Sequence, residues 1–182
     1  MQTARGRRGL RGLRGMLVAL AAITAGAVVL APAARAEPSR FIPWRGATPA
    51  LSLADLDGRR HTLEDYRGKV VLLNFWATWC EPCIEEMPSM QTLERRLVGR
   101  PFAILAVNHG ESRPKVAEFT RRLTLGLRVL LDPNTDAPRA WRVRVLPASF
   151  LVDATGRVRY SVIGEMDWAG EGAVEAVRRL LP

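Results

Sequence analysis

Cys80 and Cys83 are the only cysteines in a chain of 182 residues, and two residues separate them in Trp79-Cys80-Glu81-Pro82-Cys83. That spacing holds two sulfurs within bonding reach. A thiolate at the first can attack a disulfide, and the second can resolve the mixed disulfide that results. A free thiol titrates near ~8.5, and in Cys-x-x-Cys sites at helix starts it can fall to roughly 3.5–7.5. Three other uses of such a pair compete: an inert structural disulfide, half of a zinc site, and two core thiols side by side. The chain's two histidines, His61 and His109, have no ligand-like spacing to the pair, so no metal site is expected.

The elements around the pair favour chemistry. Lys69 to Trp76 (KVVLLNFW) is a nearly unbroken apolar run, the pattern of a central strand buried on both faces. From Glu81 to about Leu97 the apolar residues recur at three- and four-residue spacing, the period of an amphipathic helix. Cys80 therefore falls where the unpaired N–H groups and positive dipole end of a helix stabilise a thiolate. Pro82 fits the first helical turn, and Pro88 predicts a kink within one helix.

The remaining pattern supplies a fold. Leu51 to Leu53 and His61 to Leu63 flank Asp57-Gly58 and predict an N-terminal hairpin. Phe102 to Asn108 is a second buried strand, Ser112 to Leu123 a second helix, Val129 to Leu131 a short strand, and Asp136 to Trp141 a helical turn. Ser149 to Val152 and Val158 to Ile163 make a hairpin about Ala154-Thr155-Gly156-Arg157, and Glu171 to Leu181 a final helix. The order predicts an α/β fold with a mixed central sheet flanked by helices.

The formal charge of +9 suggests nucleic acid until it is located. Six arginines lie in residues 1–36, where there is no acid; beyond them 21 basic residues face 18 acidic ones. No Lys/Arg cluster of the kind that binds phosphate follows, so no nucleic-acid partner is expected. The leader has a basic start to Arg14, an uncharged run from Gly15 to Ala34, and Ala34-Arg35-Ala36, a small-x-small cleavage pattern. Residues 1–36 read as a signal peptide or a retained membrane anchor, either of which exports the rest. Residues 37–50, with Pro38, Pro43 and Pro49, read as a linker, and residues 51–182 as the domain.

Leu73-Asn74-Phe75-Trp76-Ala77-Thr78-Trp79-Cys80-Glu81-Pro82-Cys83, followed by Glu85, Glu86 and Pro88, resembles the TlpA/ResA-like branch of bacterial thioredoxin-fold proteins. Val145-Leu146-Pro147-Ala148-Ser149-Phe150-Leu151-Val152-Asp153, with Gly156 and Arg157, matches the same branch. The resemblance implies a thioredoxin fold and a thiol–disulfide oxidoreductase with no cofactor, at the periplasm or the outer face of the membrane. It further implies reduction of disulfides in exported proteins, in cytochrome c maturation or copper-site assembly, with a membrane thiol carrier as electron donor. It assigns Pro147 as a cis-proline beside the disulfide, Leu146 and Trp79 as substrate-facing residues, and Glu86 as an acid that tunes the cysteines. Two departures stand out. Asn74 occupies the place of the buried Asp of ordinary thioredoxins, and Ala148 that of a Glu common in haem-maturation reductases. A peroxiredoxin-type peroxidase and a copper metallochaperone are the alternatives on the same fold.

Overall fold

In a computed structural model, residues 40–182 are described. They belong to the second of two units into which the chain divides, Ala36–Pro182. The leader of residues 1–36 lies outside the described residues.

Strand β4 (Val70–Trp76) is buried along its whole length. Its side chains alternate between two cores: Val70, Leu72 and Trp76 enter one, and Val71, Leu73 and Phe75 the other. Such a strand must be covered on both faces, which is why the run is continuously apolar. Beside it lie β5 (Phe102–His109), parallel, and β7 (Ala148–Val152), antiparallel. Among the described residues the sheet has eight strands. Beyond the three already placed, these are β1 (Ile42–Pro43), β2 (Ser52–Asp55), β3 (Arg60–Thr62), β6 (Arg128–Asp132) and β8 (Val158–Ile163). Their order is β1-β8-β7-β4-β5-β6-β2-β3, a mixed sheet with the predicted N-terminal hairpin, β2–β3, added antiparallel to β6.

Helices α1 (Glu81–Arg96), α2 (Arg113–Arg122) and α4 (Glu171–Arg178) send Met87, Met90, Leu93, Val116 and Val177 into the first core. The second core is closed by the short α3 (Asp136–Ala140), by a 3-10 turn at Leu63–Tyr66, and by Leu51 and Trp141. The mixed sheet between helices is the architecture the sequence predicts.

Within the segment expected to be a linker, residues 37–50, the described part from residue 40 packs against the domain. Ile42 and Pro43 pair with Ser161 and Tyr160 at the edge of the sheet. Phe41 packs edge-on against Tyr160 and Trp168, and Trp44 edge-on against Phe150 with Arg142 over its ring. Two aromatics anchor a proline-bearing strand too short for any periodicity, and Pro43 is tolerated because β1 is an edge.

Candidate active site

Both central parallel strands end at one edge of the sheet, and the candidate site is built there. β4 runs out at Trp76, the loop Ala77–Trp79 follows, and Cys80 caps α1 with extended backbone (φ −92°, ψ 94°). Pro82 occupies the first turn of the helix, as predicted. The two sulfurs form a disulfide with Cα atoms 5.3 Å apart. Cys83 is completely buried, Cys80 is 5% exposed, and Trp79 beside it is 64% exposed. A reagent therefore reaches this pair from the Cys80 side. The antiparallel register, with Phe75 opposite Ala148, brings the residues before β7 to the same edge. There the Leu146–Pro147 bond is cis, and the Pro147 carbonyl accepts from the Gly164 N–H.

Glu86 lies three residues after Cys83, on the same face of α1. It is 2% exposed. Oε1 accepts from Asn74 Nδ2 at 2.6 Å and Oε2 from the Met166 N–H at 3.0 Å. The Asn74 amide also donates to Ser149 Oγ on β7. Burial pushes the carboxyl up to about 7, against the lowering pull of the Met166 N–H and the Asn74 amide. The buried indole N–H of Trp168 approaches the carboxyl but lacks hydrogen-bonding geometry. Glu85, two residues after Cys83 and so on another face of the helix, is exposed.

Sequence reasoning missed Glu111. This buried carboxylate, between β5 and α2, accepts from the Thr78 N–H (2.8 Å), Thr78 Oγ1 (2.6 Å) and Asn108 Nδ2 (2.8 Å), and pairs with Lys115 at 2.7 Å. Burial alone would raise its pKa, but Lys115, both Thr78 donors and Asn108 outweigh it and bring it to about 2. The local signal was weak. A loop glutamate four residues before a lysine is ordinarily a solvated ion pair, and nothing in sequence links it to Thr78, 33 positions away.

The histidines belong elsewhere. His61 is buried between Asp55 Oδ2 (2.8 Å) and the Tyr66 hydroxyl (2.9 Å), tying the β2–β3 hairpin to the turn that follows it. His109 ends β5 with a buried, unpartnered Nδ1. Among the described residues no group of three or more His, Cys, Asp or Glu is placed to hold a metal ion.

Comparison with known proteins agrees with this geometry. The AhpC/TSA family model matches residues 45–161. The chain belongs to that family. Within it, the chain is similar to proteins named thiol–disulfide oxidoreductase ResA. With that of Geobacillus thermodenitrificans (strain NG80-2) it is 43% identical over 118 residues, 65% of this chain and 68% of that one. With that of Bacillus thuringiensis subsp. konkukian (strain 97-27) it is 34% identical over 134 residues, 74% and 76% of the two chains. Solved structures agree on the thioredoxin fold. A thiol:disulfide interchange protein of the thioredoxin family from Chlorobium tepidum TLS superposes with TM-score 0.65 at 25% identity, covering 76% of this chain and 97% of that one. The pneumococcal exposed lipoprotein thioredoxin of Streptococcus pneumoniae strain TIGR4 gives 0.63 at 27%, covering 72% and 99%. This AhpC/TSA-family protein is a thiol–disulfide oxidoreductase.

Proposed function

We propose that this oxidoreductase works outside the cytoplasm, at the periplasm or the outer face of the membrane, and reduces disulfides of particular exported proteins. A membrane thiol carrier would restore its dithiol, and cytochrome c maturation or copper-site assembly is the setting. The observation that carries the reading is the asymmetry of the pair: Cys80 sits at a helix start beside exposed Trp79, and Cys83 is sealed one turn above a buried carboxyl. The basic, then apolar leader supports export. So does the likeness to a protein described as an exposed lipoprotein.

In this reading the Cys80 thiolate attacks one sulfur of the substrate disulfide, and the other substrate sulfur leaves and takes up a proton. Cys83 then loses its proton and attacks Cys80. This frees the second substrate thiol and regenerates the Cys80–Cys83 disulfide, so two electrons and two protons pass to the substrate. Glu86, whose pKa burial raises to about 7, takes the Cys83 proton in its ionised form in this reading. Leu146 and Pro147 offer backbone, and Trp79 an apolar face, to the segment carrying the substrate disulfide.

The test is to trap partners on the full chain carrying Cys83→Ser in its native cell. Mixed disulfides should form at Cys80 with exported proteins, and alkylation of the reduced parent should label Cys80 first. Adducts confined to cytoplasmic proteins would refute the export reading, and faster labelling of Cys83 would reverse the roles of the two thiols.

A further inference from the structure

Glu111 takes no part in the exchange just described, yet it makes the most heavily bonded contact with the loop that presents Cys80. The loop Ala77–Trp79 is three residues long and has one internal tie, the Cys80 N–H to the Ala77 carbonyl at 3.2 Å. Its middle residue, Thr78, gives both its peptide N–H and its hydroxyl to the Glu111 carboxylate. That carboxylate is itself fixed from two other elements. Asn108 lies at the end of β5, paired in register with Trp76 at the end of β4, and Lys115 lies in the first turn of α2. Glu111 thus bolts the loop to the end of the neighbouring strand.

We propose that Glu111 is a positioning residue for the thiol chemistry. It holds Thr78 so that Cys80 stays at the N-terminus of α1 and Trp79 stays turned to solvent. The inference rests on Cys80 being the attacking thiol. Its mechanism is geometric. A thiolate at a helix start is stabilised only while the sulfur lies close to the first free N–H groups. Without Glu111, the buried Asn108 amide and the partly buried Thr78 N–H and hydroxyl would lose their acceptor, and the loop would move to reach water. The charge is needed less than the acceptors. A glutamine at 111 can keep one oxygen on the Thr78 N–H and Asn108 and turn its amide toward the Thr78 hydroxyl, which then accepts, while Lys115, more than half exposed, gives up its pairing and swings into water.

The experiment compares Glu111→Ala, Glu111→Gln, Thr78→Val and Asp55→Asn in the full chain, with exchange on a model disulfide and thiol alkylation against pH as readouts. Asp55 is a buried partner of His61 on the hairpin, remote in sequence and element from the thiols. Glu111→Ala should slow exchange by about 10- to 100-fold, the size of effect expected from misplacing a reacting group. It should also move the midpoint of Cys80 alkylation to higher pH. Glu111→Gln should recover most of both, and Thr78→Val should shift both in the same direction by less. Asp55→Asn should lower the melting temperature and leave exchange and midpoint where they are. Parental midpoints in Glu111→Ala and Thr78→Val would overturn the proposal. So would a Glu111→Gln variant as slow as Glu111→Ala, or an Asp55→Asn variant slowed alike. If Glu111→Ala does not fold, Thr78→Val and Glu111→Gln decide by the same criteria. Mapping the label in the parent tests the Cys80 assignment separately, since a Cys83-first pattern there refutes that reading before any Glu111 variant is read.

Discussion

Glu86 has almost no access to water, and its partners are an amide and a peptide N–H rather than a cation. Ionising it inside the fold is therefore unfavourable, and its folded pKa is about 7 against an unfolded value of 4.5. Between those values the native state holds a proton that the unfolded chain has released. Stability must fall as pH rises from about 4.5 through 7, by about 3 kcal/mol in total. Glu86→Gln removes that slope. In the oxidised protein, where neither thiol titrates, the variant should gain on the parent at pH 8 by roughly 2 kcal/mol. At pH 5 it should gain nothing, because its amide opposes Asn74 Nδ2 and forces that amide to turn. Urea midpoints of both proteins at the two pH values measure this, and parallel pH dependence would refute it. In the reduced protein Glu86→Gln should shift the thiol titration and slow exchange, whereas exposed Glu85→Gln should do neither. Glu111 responds with the opposite sign: its pKa of about 2 adds stability above its unfolded value, lost as pH falls toward 2. Of these two residues, Glu86 was legible in sequence, since its three-residue offset from Cys83 puts it on the same helix face. Glu111 was not, because its partner is distant in the chain.

At the scale of elements, α1 runs from Glu81 to Arg96 as one helix with exposed Pro88 inside it. Proline there has no N–H for the Ile84 carbonyl, and its ring crowds the preceding turn. The helix continues because Met87, Met90 and Leu93 are buried against the sheet on both sides of the proline. Thr92 Oγ1 donates to the Pro88 carbonyl and Ser89 Oγ to that of Glu86. Packing, then, overrides a local preference against helix. Pro88→Ala restores the donor at a surface position and should stabilise the protein by about 1–3 kcal/mol. Equilibrium unfolding in urea measures it, and a loss of stability would show that the proline ring itself holds Glu86 and Ser89 in place. The same competition explains what the sequence disclosed among the elements. β4, β5 and α1 were readable because long apolar runs and a sustained helical period have few alternative interpretations. β1 was not, since two residues have no period and Pro43 argues against a strand.

For the whole molecule the question is where the folded unit begins. The leader of residues 1–36 has the composition of an export signal or anchor, and among the described residues no helix is long and apolar enough to cross a membrane. The domain assignment from the sequence places the start at residue 51, after a linker. The packing places it earlier. Phe41 packs edge-on against Tyr160 and Trp168 beside one core, Trp44 against Phe150 beside the other, and Thr48 Oγ1 accepts from the Val158 N–H. These contacts tie the segment to β8 through Tyr160 and Val158 and to β7 through Phe150, the strand that follows the cis Leu146–Pro147 bond. A chain beginning at Glu37 should be soluble and exchange a model disulfide at the full-length rate. One beginning at Ala50 loses two aromatic anchors and the edge strand, and should be less stable by about 3–5 kcal/mol, the range for large aromatic truncations. Its exchange rate should survive at low temperature, because Cys80, Cys83, Glu86 and Glu111 all remain, and collapse on warming. Thermal unfolding and exchange rates of both chains measure this. Equal melting temperatures would return residues 37–50 to the role of a linker. Inactivity of the Glu37 chain beside an active full-length protein would make the leader part of the working molecule.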